Sequence, residues 1–104
     1  MITGWIVDDK KQIAIEFTNL ARVIAGEREI RRDFPCQATY GDIIAWLAES
    51  YPDMVGILIQ ENQRAFTNST MFIINNEMSL PAMILDESPR NGERLTIVSV
   101  PTGG

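Results

Sequence analysis

Thr39-Tyr40-Gly41-Asp42-Ile43-Ile44-Ala45-Trp46-Leu47-Ala48-Glu49-Ser50-Tyr51-Pro52 is the stretch that decides the fold. It reads as one short amphipathic helix with both ends marked. Thr39 can cap the N-terminus. Asp42, three residues on, can return its carboxylate to the cap backbone, near the positive end of the helix dipole. Ile43, Ile44, Leu47 and Ala48 recur at helical spacing and form one apolar stripe, which Trp46 widens. Tyr51-Pro52 closes the segment, because a residue before proline is pushed out of the α region. The spacing predicts a helix over 40–50 with its stripe turned to a core.

Strand patterns lie on both sides of this helix. Upstream, Ile13, Ile15 and Phe17 alternate with Ala14 and Glu16, the period of a strand with one buried face. Leu20 to Ala25 is a brief apolar helical segment stopped by Gly26. Glu29 to Phe34 is a second strand whose polar face suits a sheet edge. Earlier still, Gly4-Trp5-Ile6-Val7 is short and apolar, and Asp8-Asp9-Lys10-Lys11 reads as a turn. Residues 1–12 are therefore expected to be an N-terminal extension that adds a strand or wraps onto the sheet.

Downstream, Ile57-Leu58-Ile59 is a short apolar run, and Gln60 to Thr70 is polar and read as a loop. Met71-Phe72-Ile73-Ile74 is apolar on both faces, as expected of a central strand. Asn75-Asn76-Glu77 is a tight turn, since asparagine tolerates the left-handed region. Ser79-Leu80 would return as a short strand limited by Pro81. Pro89-Arg90-Asn91-Gly92 is a second turn that feeds a last strand, Glu93 to Val100. The elements form an α+β layer arrangement. The first and last strands carry the most apolar faces and are expected side by side at the centre of the sheet. That order suits several small α+β folds.

Composition narrows the function. The 104 residues make one domain, with 45% hydrophobic and 22% charged residues. A net charge of -5 and a pI near 4.6 argue against a nucleic-acid binder, which needs a basic stripe to meet phosphates. Arg28, Arg31 and Arg32 form the one basic cluster, but Glu27, Glu29 and Asp33 interleave with it, as on a solvated strand edge. There is no histidine, which excludes Ser-His and Cys-His nucleophile pairs and the usual zinc sites, so no metal is expected. The lone Cys36 cannot form an internal disulfide, which fits a reducing cytoplasm. Beside Pro35, it reads as a small, partly buried hydrophobe. No run is long enough to span a membrane, and the N-terminus lacks the pattern of a signal peptide.

The last residues carry the site-level signal. Pro101-Thr102-Gly103-Gly104 follows directly on the apolar strand Leu95-Thr96-Ile97-Val98-Ser99-Val100. Such a tail sets a carboxylate at the tip of a thin tether on a rigid element. Without a Cβ, glycine lets another protein's backbone close around it in a narrow channel. An enzyme that activates the carboxylate needs that access.

These residues together resemble the small subunit of molybdopterin synthase and the sulfur carriers of the MoaD/ThiS group. The resemblance rests on Ala25-Gly26 after a short helix, then Ala38-Thr39-x-Gly41-Asp42-Ile43-Ile44 and Leu47-Ala48-Glu49-x-Tyr51-Pro52. It continues through Ile74-Asn75-Asn76-Glu77 and Asn91-Gly92-Glu93 to Thr102-Gly103-Gly104, and covers residues 12–104. The chain departs from the family in three places. Val98-Ser99-Val100-Pro101 stands where a Pro-Pro often precedes the tail, residues 60–70 and 83–89 are longer, and the first twelve residues have no counterpart.

The resemblance implies a β-grasp, ubiquitin-like fold with a mixed sheet packed on one main helix. It also implies a sulfur carrier with no cofactor of its own. An activating enzyme would use ATP and magnesium to adenylate Gly104, and a sulfur donor would convert it to a thiocarboxylate. An acceptor synthase subunit would then take the tail and the sulfur to build molybdopterin. Gly104 matches the thiocarboxylated residue, Gly103 the slim residue in the partner's channel, and Thr102 the small residue before them. Val98, together with Val100, falls where the family shows apolar residues for partner docking. The alternative role for Val98 is packing in the core. The carrier would supply no acid, base or metal ligand and would act as a protein cosubstrate. Other destinations stay open, among them cysteine, thiamine, a thiolated metabolite or tRNA. Two other classes also stay open. One is a ubiquitin-like modifier that joins Gly104 to lysines; the other is a β-grasp interaction module that is never activated.

Overall fold

The computed structural model describes residues 10–67, 70–75, 77–78 and 85–99. Among these residues five strands and two helices occur in the order β1 (Lys10–Phe17), α1 (Asn19–Ala25), β2 (Glu29–Pro35), α2 (Tyr40–Ser50), a 3₁₀ turn (Pro52–Met54), β3 (Thr70–Ile74), β4 (Glu77–Met78) and β5 (Arg94–Ser99). The strands form one mixed sheet in the order β2-β1-β5-β3-β4. β1 and β5 pair in parallel at its centre, with Ala14 opposite Arg94 and Phe17 opposite Ile97. The first and last strands are neighbours, as their apolar faces predict. β2 closes one edge, antiparallel to β1, and β3 runs antiparallel to β5.

α2 has the predicted bounds, and its cap explains why. Thr39 Oγ1 accepts from the Asp42 N–H at 3.1 Å, and the Thr39 N–H donates to Asp42 Oδ2 at 2.9 Å. Two backbone donors that the first turn leaves orphaned are thereby satisfied. Ile43, Ile44, Leu47 and Ala48 are buried in one core with Ile13, Ile15, Phe17, Phe72, Leu95 and Ile97 from the sheet. Each buried aliphatic side chain contributes about 1.5–3 kcal/mol of transfer free energy. Trp46 lies at the margin, edge-on to Phe34 with ring centroids 5.6 Å apart. The Arg32 guanidinium lies over its ring, 5.3 Å from the centroid.

Turn chemistry sets the register. Gly26 takes φ +74° after α1 and donates to Arg22 O at 2.9 Å, the left-handed stop that a side chain would strain. Asn75 sits at φ 49° after β3. Its N–H donates to Arg94 O, and its Oδ1 accepts from the Arg94 N–H at 2.9 Å, so this turn pins the start of β5. The predicted turn 89–92 is present, and the Gly92 N–H donates to Gln12 O at 2.8 Å.

Several expectations need correction. Lys10 and Lys11 belong to β1 rather than to a turn, because the alternation of Ile13, Ile15 and Phe17 continues back through Lys11. Thr70 opens β3 rather than ending the loop. The last strand begins at Arg94, since Glu93 still belongs to the turn, its N–H donating to Arg90 O. Cys36 is exposed. It stands in the turn between β2 and α2, and its carbonyl accepts from the Lys11 ammonium. The readings of residues 1–9, Asn76, Ser79-Leu80 and Pro81 fall outside the described residues.

Candidate functional site

The end of β5 is the element from which the Gly-Gly segment leaves. Its strand is central, hydrogen-bonded to β1 on one side and β3 on the other. Leu95 and Ile97 are wholly buried against the helix face. The Thr18 hydroxyl, just before α1, donates to Ile97 O at 2.7 Å and ties this exit to the neighbouring helix. The attachment point is therefore rigid. Val100, Thr102, Gly103 and Gly104 lie outside the described residues.

The strand period places Val98 on the face opposite Ile97. There Val98 is half-buried and pairs directly with Met71 of β3, with Ile73 two residues along the same face. Beside them this open face carries charged side chains. The Arg94 guanidinium reaches Glu16 Oε2 at 3.3 Å and Glu29 Oε1 at 2.9 Å, bridging β5, β1 and the edge strand β2. The hydrogen bond from Arg94, with Arg31 adding to it, holds the Glu29 carboxyl below its usual range. Thr96 Oγ1 donates to Glu16 Oε1 at 3.0 Å. The open face thus has an apolar part around Val98, Met71 and Ile73, next to a part where opposite charges neutralise one another.

Beneath the turn at the other end of β5 lies a polar cluster that sequence reasoning missed. Lys11 is 3% exposed. Its Nζ donates to Ala38 O at 2.7 Å and to Cys36 O and Pro89 O, both at 2.9 Å. Burial pulls its pKa below the ordinary lysine value, while the Glu93 and Asp42 carboxylates act in the opposite direction. The Tyr40 hydroxyl donates to the buried Glu93 carboxylate. Burial and that bond push the phenol's pKa upward. Two turns from distant parts of the chain, the one between β2 and α2 and the one before β5, converge on these groups. The signal was present in the parity of β1, which puts Lys11 on the same face as Ile13. Among the described residues, no three His, Cys, Asp or Glu side chains gather where they could hold a metal ion. No helix among them is long and apolar enough to cross a membrane.

No protein-family model matches the sequence, and no curated protein matches it. Solved structures do. Small archaeal modifier protein 1 from Haloferax volcanii aligns over 88% of this chain and 99% of its own, with a TM-score of 0.72 at 19% identity. Urm1 from Trypanosoma brucei aligns over 93% and 99%, with a TM-score of 0.71 at 13% identity. The fold is the β-grasp. A Pyrococcus furiosus protein described as a molybdopterin converting factor, subunit 1, shares it over 88% and 99%, with a TM-score of 0.70 at 14% identity. At these identities the likeness is one of fold, and a fold hosts many functions.

Proposed function

We propose that this protein is a ubiquitin-like sulfur carrier that works through the carboxylate of Gly104 and serves molybdopterin (molybdenum or tungsten cofactor) biosynthesis. The observation that carries the reading is Thr102-Gly103-Gly104, set directly beyond the central strand of a β-grasp sheet. The likeness to the Pyrococcus furiosus protein supports the pathway. A carboxylate is a poor electrophile. Adenylation by an activating enzyme with ATP and magnesium would give it a good leaving group. A sulfur donor would then displace AMP and exchange one carboxyl oxygen for sulfur. The thiocarboxylate is a soft nucleophile on a slim tether that an acceptor synthase subunit can admit. Val98 and Val100 would guide docking beside the strand exit.

The test is intact mass after incubation with ATP, magnesium, the activating enzyme and a sulfur donor. The expected shift equals the exchange of one oxygen for sulfur, and deletion of Gly104 abolishes it. A carrier that keeps transferring sulfur without Gly104 would overturn the reading. A second reading, as a protein modifier, is favoured by the likeness to small archaeal modifier protein 1. It predicts ATP-dependent attachment of Gly104 to lysines in place of a thioacid.

A further inference from the structure

We infer that Lys10 is an acyl-acceptor site: its amine takes the activated Gly104 carboxyl of a second copy of this chain. The inference rests on the activated-carboxyl reading above and adds the residue that would receive the acyl group. The sequence holds two lysines, Lys10 and Lys11, and seven arginines, whose permanently charged guanidinium groups are not acyl acceptors. The two lysines are adjacent, so strand parity sends them to opposite faces of β1. Lys11 Nζ spends its three N–H donors on Cys36 O, Ala38 O and Pro89 O. An attacking amine needs a free lone pair and an open approach, and this one has neither. Lys10 is exposed to solvent.

Topology makes the donor a second molecule. β1 and β5 are parallel, so Lys10 and the exit of β5 lie at opposite ends of the sheet. Seven strand steps from Lys10 to Phe17, plus two from Ile97 to Ser99, separate their levels. At about 3.3 Å per step the gap is roughly 30 Å. The five residues from Val100 to Gly104 span at most about 18 Å. A lysine stem adds only a few ångströms, so the chain cannot reach its own Lys10.

In the reaction the Lys10 nitrogen attacks the Gly104 carbonyl carbon of the acyl adenylate. A C–N bond forms and the C–O bond to phosphate breaks. The Lys10 ammonium gives one proton to solvent to free its lone pair, the nitrogen loses a second as the amide forms, and AMP leaves with the electron pair. ATP, consumed by the activating enzyme, is the co-reactant.

The experiment incubates the full chain with ATP, magnesium and the activating enzyme, and reads pyrophosphate exchange, gel mobility and tryptic peptides in parallel. The expected product is a covalent dimer of the 11.7 kDa chain, with the peptide Leu95–Gly104 branched from Lys10. Lys10→Arg keeps exchange and the melting temperature and reduces the dimer to the level of the control without ATP. A branch on Lys11 or on an α-amine, or dimers that persist in Lys10→Arg, would overturn the inference. So would normal exchange with no dimer. Absence of exchange would instead sink the activated-carboxyl reading, and the self-acylation with it. A limiting amine-reactive acetyl ester tests the lysine discrimination without any enzyme. Acetyl groups are expected on Lys10 with Lys11 protected until the chain unfolds, and equal labelling in the folded chain would count against the site.

Discussion

Replacing Lys11 by methionine isolates what a single buried ammonium contributes to this fold. Methionine keeps a flexible, unbranched stem, so packing changes little while the charge and its three hydrogen bonds disappear. Cys36 O is partly exposed and can recover a water, but the bonds to Ala38 O and Pro89 O are buried. Two buried acceptors left unsatisfied, at about 1–3 kcal/mol each, amount to about 2–6 kcal/mol. Part of this is offset because an ammonium no longer has to be desolvated, the same burial that pulls its pKa down. The expected net loss is about 2–4 kcal/mol, or a fall in Tm on the order of 10–20 °C for a domain of this size. Urea unfolding followed by far-ultraviolet circular dichroism gives the free energy, with the m-value checked for constancy. A loss below about 1 kcal/mol at unchanged m would refute the claim that Lys11 holds the two turns onto β1.

Other outcomes follow from the same packing. Leu47→Ala empties a wholly buried position on α2 and is expected to cost about 2–5 kcal/mol, read as a lowered denaturant midpoint. Tyr40→Phe strands the buried Glu93 carboxylate, leaving it the Arg90 N–H at 3.3 Å; about 1.5–3 kcal/mol should be lost in the same assay. Asp42 has a lowered pKa, chiefly from the Thr39 backbone N–H and secondarily from Arg64. A depressed carboxyl gives stability that is present above its unfolded pKa and lost as pH falls through its folded one. Asp42→Ala should therefore cost about 0.5–1 kcal/mol at neutral pH, and the gap to the parent should close as the solution is acidified below about pH 4. Val98→Asp places a charge on the apolar part of the open face; pyrophosphate exchange should fall while Tm stays within a few degrees, and unchanged exchange would argue against docking there.

Local signals made much of this fold legible. The capping box and Pro52 gave α2 its bounds, and the alternation of Ile13, Ile15 and Phe17 gave β1 its buried face. Asn75 and Gly92 marked turns because their backbones adopt positive φ. Lys11 was missed because its partners are 25, 27 and 78 residues away. In sequence, Asp8-Asp9-Lys10-Lys11 is only a run of charge. The Arg94 bridge to Glu16 and Glu29 is equally non-local, since it needs the β2-β1-β5 order before it exists. Cys36 went the other way, because composition favours burial of a free cysteine and a turn between two elements overrode it. The reading of the Gly-Gly segment rests on residue types alone, since Gly103 and Gly104 lie outside the described residues.

The parallel pairing of β1 and β5 has a mechanical consequence. Chain enters β1 at Lys10 and leaves β5 at Ser99, at opposite ends of two adjacent strands that point the same way. Tension between those two points loads the ladder bonds between the strands all at once, in shear, instead of peeling them one by one. A partner that pulls on the Gly-Gly tether therefore works along the direction in which the sheet yields last. Tension across a hairpin such as β3–β4 would unzip it from the open end.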